Sequence, residues 1–118
     1  MRIAITGGPK TGKTTLAKEL GNVRSTDDLM ATTDWSGASA EAAKWIAQGQ
    51  SLEGVTVPRA LRKALDASPD KPVDKVIWLG TPHANLSPGQ RAMAKGCETV
   101  FREIEPELRR RGVEIERR

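Results

Sequence analysis

Gly7-Gly8-Pro9-Lys10-Thr11-Gly12-Lys13-Thr14 fills every defined position of the pattern G-x-x-x-x-G-K-[ST]. Glycines in such a run let the backbone turn tightly and point successive N–H groups inward. Together with the N-terminus of a following helix, these groups surround a β-phosphate with partial positive charge. Lys13 is then placed to bridge β- and γ-phosphate oxygens, and the Thr14 hydroxyl to ligate Mg²⁺. Gly7 through Thr15 are therefore the candidate phosphate-binding residues. A random chain of this length carries the pattern about four times in a thousand, so its setting has to discriminate between a ligand site and a plain Gly-rich turn.

That setting requires a strand before the loop and a helix after it. Arg2-Ile3-Ala4-Ile5-Thr6 is a short β-prone run ending at Gly7-Gly8-Pro9, the pattern of a buried parallel strand. Lys13 to Leu20 places Leu16 and Leu20 four apart beside Ala17, and Gly21-Asn22 supplies a helix stop. Asn22 to Ser25 is a weaker strand, followed by the polar run Thr26-Asp27-Asp28. Residues 32–37 read as loop, and Ala38 to Gln48 as a helix with Ala38, Ala42, Trp45 and Ile46 on one face. A third strand around Leu52 to Val55 leads to a helix from about Pro58 with the stripe Val57, Leu61, Ala64 and Leu65. Val73 to Leu79 is the clearest strand after the first. Ser87-Pro88-Gly89-Gln90 has the form of a capping box. Behind it Met93, Cys97, Val100, Phe101, Ile104 and Leu108 make one helical stripe, which Pro106 is expected to kink or restart. Val113 and Ile115 suggest a last strand. About five strands alternating with four helices call for an α/β fold, a three-layer α/β/α sandwich around a parallel sheet.

The chain has 118 residues, which fits one domain, with residues 1–118 forming a single nucleotide-binding unit. No apolar run approaches the roughly 18 residues that span a bilayer. Met1 to Thr6 enters a strand and a turn without an apolar signal region, so the expectation is a cytoplasmic protein with no membrane partner. One cysteine, Cys97, and one histidine, His83, exclude an internal disulfide and make zinc improbable. The net charge of +4 suits phosphorylated ligands without identifying a nucleic-acid binder. Residues 1–24 carry Arg2, Lys10, Lys13, Lys18 and Arg24 against Glu19, a net of +4. Residues 25–53 carry Asp27, Asp28, Asp34, Glu41 and Glu53 against Lys44, a net of −4. A basic segment followed by an acidic one fits a polyanion held near carboxylates and a metal, and equally fits ordinary surface variation.

Gly-Gly-Pro-Lys-Thr-Gly-Lys-Thr-Thr-Leu-Ala after Met-Arg-Ile-Ala-Ile-Thr resembles the opening of the P-loop NTPases, in particular the small kinases related to nucleotide, nucleoside and shikimate kinases. The resemblance covers residues 2–20 and implies a minimal P-loop fold whose first strand is central with the fourth beside it. It also implies ATP and Mg²⁺ as cofactors. By the same resemblance Asp27 or Asp28, after the second strand, would orient and deprotonate an acceptor hydroxyl or hold Mg²⁺ through water. Asp34 is a third acid in that segment. Arg59 and Arg62 occupy a region where such kinases place acceptor-binding arginines, and Trp35 borders the same pocket. The loop from Gly80 to Pro88 is the candidate lid, and Arg91 or Lys95 behind it is the candidate cation for the transferring phosphoryl. Each of these charges also reads as solvated surface, and His83 as a loop histidine. The run Arg109-Arg110-Arg111 reads as a charged helix end.

The strand Val76-Ile77-Trp78-Leu79 is the best Walker B candidate, yet it ends in Gly80 rather than an aspartate, so the metal-side carboxylate must come from elsewhere or be absent. The expected function is transfer of the γ-phosphoryl of Mg-ATP to a small acceptor of nucleotide or nucleoside type. The alternatives are an ATPase or nucleotide-binding switch acting with a protein or nucleic-acid partner, a kinase acting on a modified base in DNA, and a fold that binds nucleotide without turnover.

Overall fold

Ile3, Ala4 and Ile5 carry apolar side chains on both faces of a strand, so the sequence calls for a strand covered from both sides. In a computed structural model of the protein, which describes residues 1–30 and 34–118 and leaves the side chains of Asp28 and Met30 undescribed, that strand is the centre of the sheet. The elements run β1 (Ile3–Gly7), α1 (Lys13–Leu20), β2 (Val23–Ser25), α2 (Asp27–Met30), α3 (Trp35–Ala47), β3 (Ser51–Glu53), α4 (Val57–Ala67), β4 (Lys75–Leu79), α5 (Pro88–Arg110) and β5 (Glu114–Arg117). All five strands are parallel, in the order β2-β3-β1-β4-β5.

Strand order decides where the helices lie. The step from β1 to β2 moves toward one edge, whereas the three later steps all move toward the other. Right-handed crossovers then put α1 on one face and the later helices on the opposite one. The core follows that division. Ala4, Leu52, Val76 and Trp78 point toward α3, α4 and α5, where they meet Trp45, Leu61, Phe101 and Leu108. Trp78 stacks on Phe101 with centroids 4.7 Å apart. Ile5, Ile77 and Leu79 point the other way onto Leu16 and Ala17 of α1. Beyond the reach of α1 that second face turns polar, with Lys75 held between Glu114 at 3.1 Å and Glu116 at 2.8 Å. At the opposite end of β1, the Arg2 N–H donates to Asp74 Oδ2 at 2.6 Å and fixes the register against β4.

Several local expectations change. The helix expected from Ala38 begins at Trp35, because the Asp34 carboxylate caps it by accepting from the Gly37 N–H at 2.7 Å. Asp34 is thereby a capping residue, and of the stretch read as loop, residues 32 and 33 lie outside the described residues. Asp27–Met30 forms a single extra turn, making five helices among the described residues where four were expected. The Ser87/Gln90 capping box is present. α5 runs on through Pro106 without ending. Pro106 and Arg102, whose carbonyl the proline leaves without its usual partner, are both exposed, so water can take the missing bond. No helix among the described residues is long and apolar enough to cross a membrane.

Candidate functional site

In a parallel sheet, the ligand-binding end is where the strands finish and connections leave in opposite directions. Here β1 ends between β3 and β4, with the Gly7–Thr14 loop rising from it. Gly7 has φ 154°, and a Cβ there would stand 2.1 Å from the Leu79 carbonyl oxygen. Gly12 caps α1 in the left-handed region at φ 90°, with no side-chain cap and no acid in the helix's first turn. The start of α1 therefore keeps its N–H groups and dipole directed at the loop.

Inside the loop sits Lys13, 8% exposed. Its Nζ donates to the Gly8 carbonyl at 2.6 Å and to Thr11 Oγ1 at 3.4 Å. Burial lowers its pKa, while the charges of Glu53 and Asp27 work in the opposite direction. Thr14 Oγ1 donates to Glu53 Oε1 at 3.5 Å. Glu53 is wholly buried, and its Oε2 has no hydrogen-bond partner among the described residues. Burial raises its pKa, with Asp27 adding to the effect, and the nearby Ser25 and Thr14 hydroxyls and Lys13 opposing it.

Glu53 is the residue that sequence reading missed. The strand ending in Gly80 carries no acid at its end, so a metal-side carboxylate is expected elsewhere or not at all, and β4 brings Leu79 beside Gly7. A buried acid lies on the other neighbour of β1, where Ile5 pairs with Glu53 at the end of β3. Its signal was an acid followed by Gly54 at the end of a short strand. That signal acquires meaning only once β3 is known to lie beside β1.

A cleft of about 520 Å³ opens over the loop, lined among others by Lys13, Thr14, Asp27, Trp35, Val55 and Met93. Glu53 lies behind Thr14 and meets the cleft through its hydroxyl. Thr14 and the unpartnered Glu53 oxygen offer the hard oxygen donors that magnesium takes, so the residues present fit that ion. Asp27 is exposed and lines the cleft. The Asp28 side chain lies outside what is described. Trp35 and Met93 also line an adjoining pocket of about 310 Å³ that includes Arg59, whose guanidinium stands 5.0 Å from the Trp35 ring centre.

Other expected site residues lie elsewhere. Arg62 pairs with Glu103 at 3.4 Å on the outer surface between α4 and α5. Arg91 and Lys95 are exposed, and at 100° per residue they lie on the side of α5 opposite Met93 and Cys97. Gln90 and Met93 line the cleft in their place. The Gly80–Pro88 segment packs onto the loop, with the His83 N–H donating to the Lys10 carbonyl at 2.7 Å. Arg109 and Arg110 pair with Glu105 and Glu107, while Arg111 Nη2 donates to the Leu65 carbonyl at 3.0 Å, closing the end of α4. Cys97 is buried beneath the loop against the Gly7 and Val55 carbonyls.

Comparison with protein families, curated proteins and solved structures finds no match to this chain. The site's own chemistry therefore carries the functional reading.

Proposed function

We propose that the protein is a minimal P-loop phosphotransferase that moves the γ-phosphoryl of Mg-ATP to a small acceptor of nucleotide or nucleoside type. The observation that carries this reading is the Thr14–Glu53 pair beside the Lys13 loop. A hydroxyl and a buried carboxylate with a spare oxygen meet at the mouth of a loop that already holds an ammonium. Lys13 and Thr14 line one cleft and Glu53 backs Thr14, which is the combination phosphoryl transfer needs.

In this reading the loop N–H groups and the N-terminus of α1 bind the phosphates. Lys13 exchanges the Gly8 carbonyl for phosphate oxygens and offsets charge on the transferring group. Thr14, with Glu53 behind it, would hold magnesium, which when bound supplies positive charge to the phosphate oxygens. Asp27 orients the acceptor hydroxyl across the cleft and takes its proton. Trp35 offers a ring face to the acceptor, and Arg59 a cation.

Arg59 and Arg62 separate a binding role from a surface one. Arg59→Ala is expected to raise the acceptor KM about tenfold or more, the size of a lost charge-assisted contact. Arg62→Ala is expected to leave transfer unchanged and to alter stability by less than about 1 kcal/mol, as for an exposed ion pair. Steady-state kinetics and thermal melting of both variants check this pair. The reading itself is tested with γ-labelled ATP and Mg²⁺ against pooled nucleosides, nucleoside monophosphates, polyols and DNA. Label in a small acceptor supports it. Label only in free phosphate transfers the protein to the ATPase class.

A further inference from the structure

The loop has a second side that the phosphotransferase reading leaves unused. Thr11, Gly12 and Thr15 line the main cleft and also an open groove of about 220 Å³, lined further by Glu19, His83 and Arg118. Thr14 and Asp27 line the main cleft and not this groove, so a phosphate chain whose reacting end meets them leaves the loop on the other side. It then passes Gly12 and Thr15 into this groove.

His83 stands on that path, and the backbone keeps it there. Its N–H donates to the Lys10 carbonyl at 2.7 Å, while Lys10 Nζ reaches the Asn85 carbonyl at 3.3 Å. Lys10 adopts φ 59°, a left-handed conformation that L side chains rarely take up, and the two bonds tie the segment after β4 to the loop. The imidazole lies directly on the last glycine: a Cβ on Gly12 would stand 2.7 Å from His83 Nε2. Gly12 is also the N-cap of α1. A ring nitrogen thus lies beside the point where the α1 N-terminus would meet an anion. No cation from α5 reaches that point by the expected route, because Arg91 and Lys95 lie on its outer side.

We propose that His83 is a nucleotide-binding residue whose Nε2 contacts the phosphate chain as it leaves the loop toward the nucleoside. This rests on the phosphotransferase reading and extends it to the donor's far end. The charged residues that share the groove with His83 are Glu19 from α1 and Arg118 after β5.

The test measures the affinity of the full chain for ADP and, separately, for inorganic tripolyphosphate. His83→Ala is expected to weaken both about tenfold, the loss of one charge-assisted contact, and His83→Arg to restore them. Lys95→Ala, on the outer side of α5, should bind as the wild type does. If the wild type binds ADP and His83→Ala, with an unchanged melting curve, binds it equally well, the role of His83 is overturned and the phosphotransferase reading stands. A loss seen with ADP but not with tripolyphosphate also overturns the phosphate contact. A wild type that binds neither ligand overturns both proposals together.

Discussion

Lys13→Ala is expected to lower phosphoryl transfer by at least about a thousandfold, the upper end of what one preorganised donor to a developing charge contributes, while the protein stays folded. The asymmetry follows from burial. An ammonium at 8% exposure, bonded to one carbonyl and one hydroxyl, gains little for the fold, because desolvation opposes its charge. Alanine is a good helix former at the first position of α1, so the melting temperature should hold or rise. Transfer of labelled phosphate and a melting curve on the same preparation check both halves. A variant that transfers at the normal rate would remove the loop from the mechanism.

Glu53→Gln should have the next largest effect. The amide keeps the shape and an oxygen for the Thr14 hydroxyl, but it removes the negative charge that would stand behind a magnesium ion. Turnover is expected to fall about a hundredfold or more, with a higher magnesium requirement, because the hydroxyl of Thr14 alone is a weak ligand. Stability should not fall. A wholly buried carboxylate with one oxygen unpartnered among the described residues is unfavourable for folding, and a neutral isostere relieves part of that penalty. Loss of activity together with preserved or raised stability is the pattern of a residue retained for function. The opposite pattern, a lower melting temperature with transfer intact, would make Glu53 structural. Magnesium titrations of turnover and paired melting curves decide between them.

What could be read from the sequence, and what could not, divides along the range of the forces involved. The Gly7–Thr14 run, the strand before it, the helix after it and the Ser87/Gln90 cap depend on neighbours within a few residues, and they appear where expected. Glu53 depends on which strand lies beside β1, a question of sheet topology that no local pattern answers. Arg59 and Arg62 sit three apart on one helix, and only the placement of α3 and α5 decides that one meets Trp35 and the other Glu103. The outward direction of Arg91 and Lys95 was available in principle, because the stripe through Met93, Cys97 and Val100 already assigns them to the far side. Helix starts moved where a side chain intervened, as Asp34 does for α3.

The central position of β1 has a further consequence for how the chain is made. The bonds that seat this strand reach 48 residues ahead to Ser51 and 72 ahead to Asp74. At roughly 5–20 residues per second of synthesis, β1 is complete seconds before either neighbour exists. Until β4 has been made, Gly7 has no Leu79 beside it and the loop has no wall. The loop end of the sheet is thus encoded before its walls are assembled, and the nascent chain must keep an apolar strand unpaired until β3 has been made, the interval in which a holding chaperone would matter most.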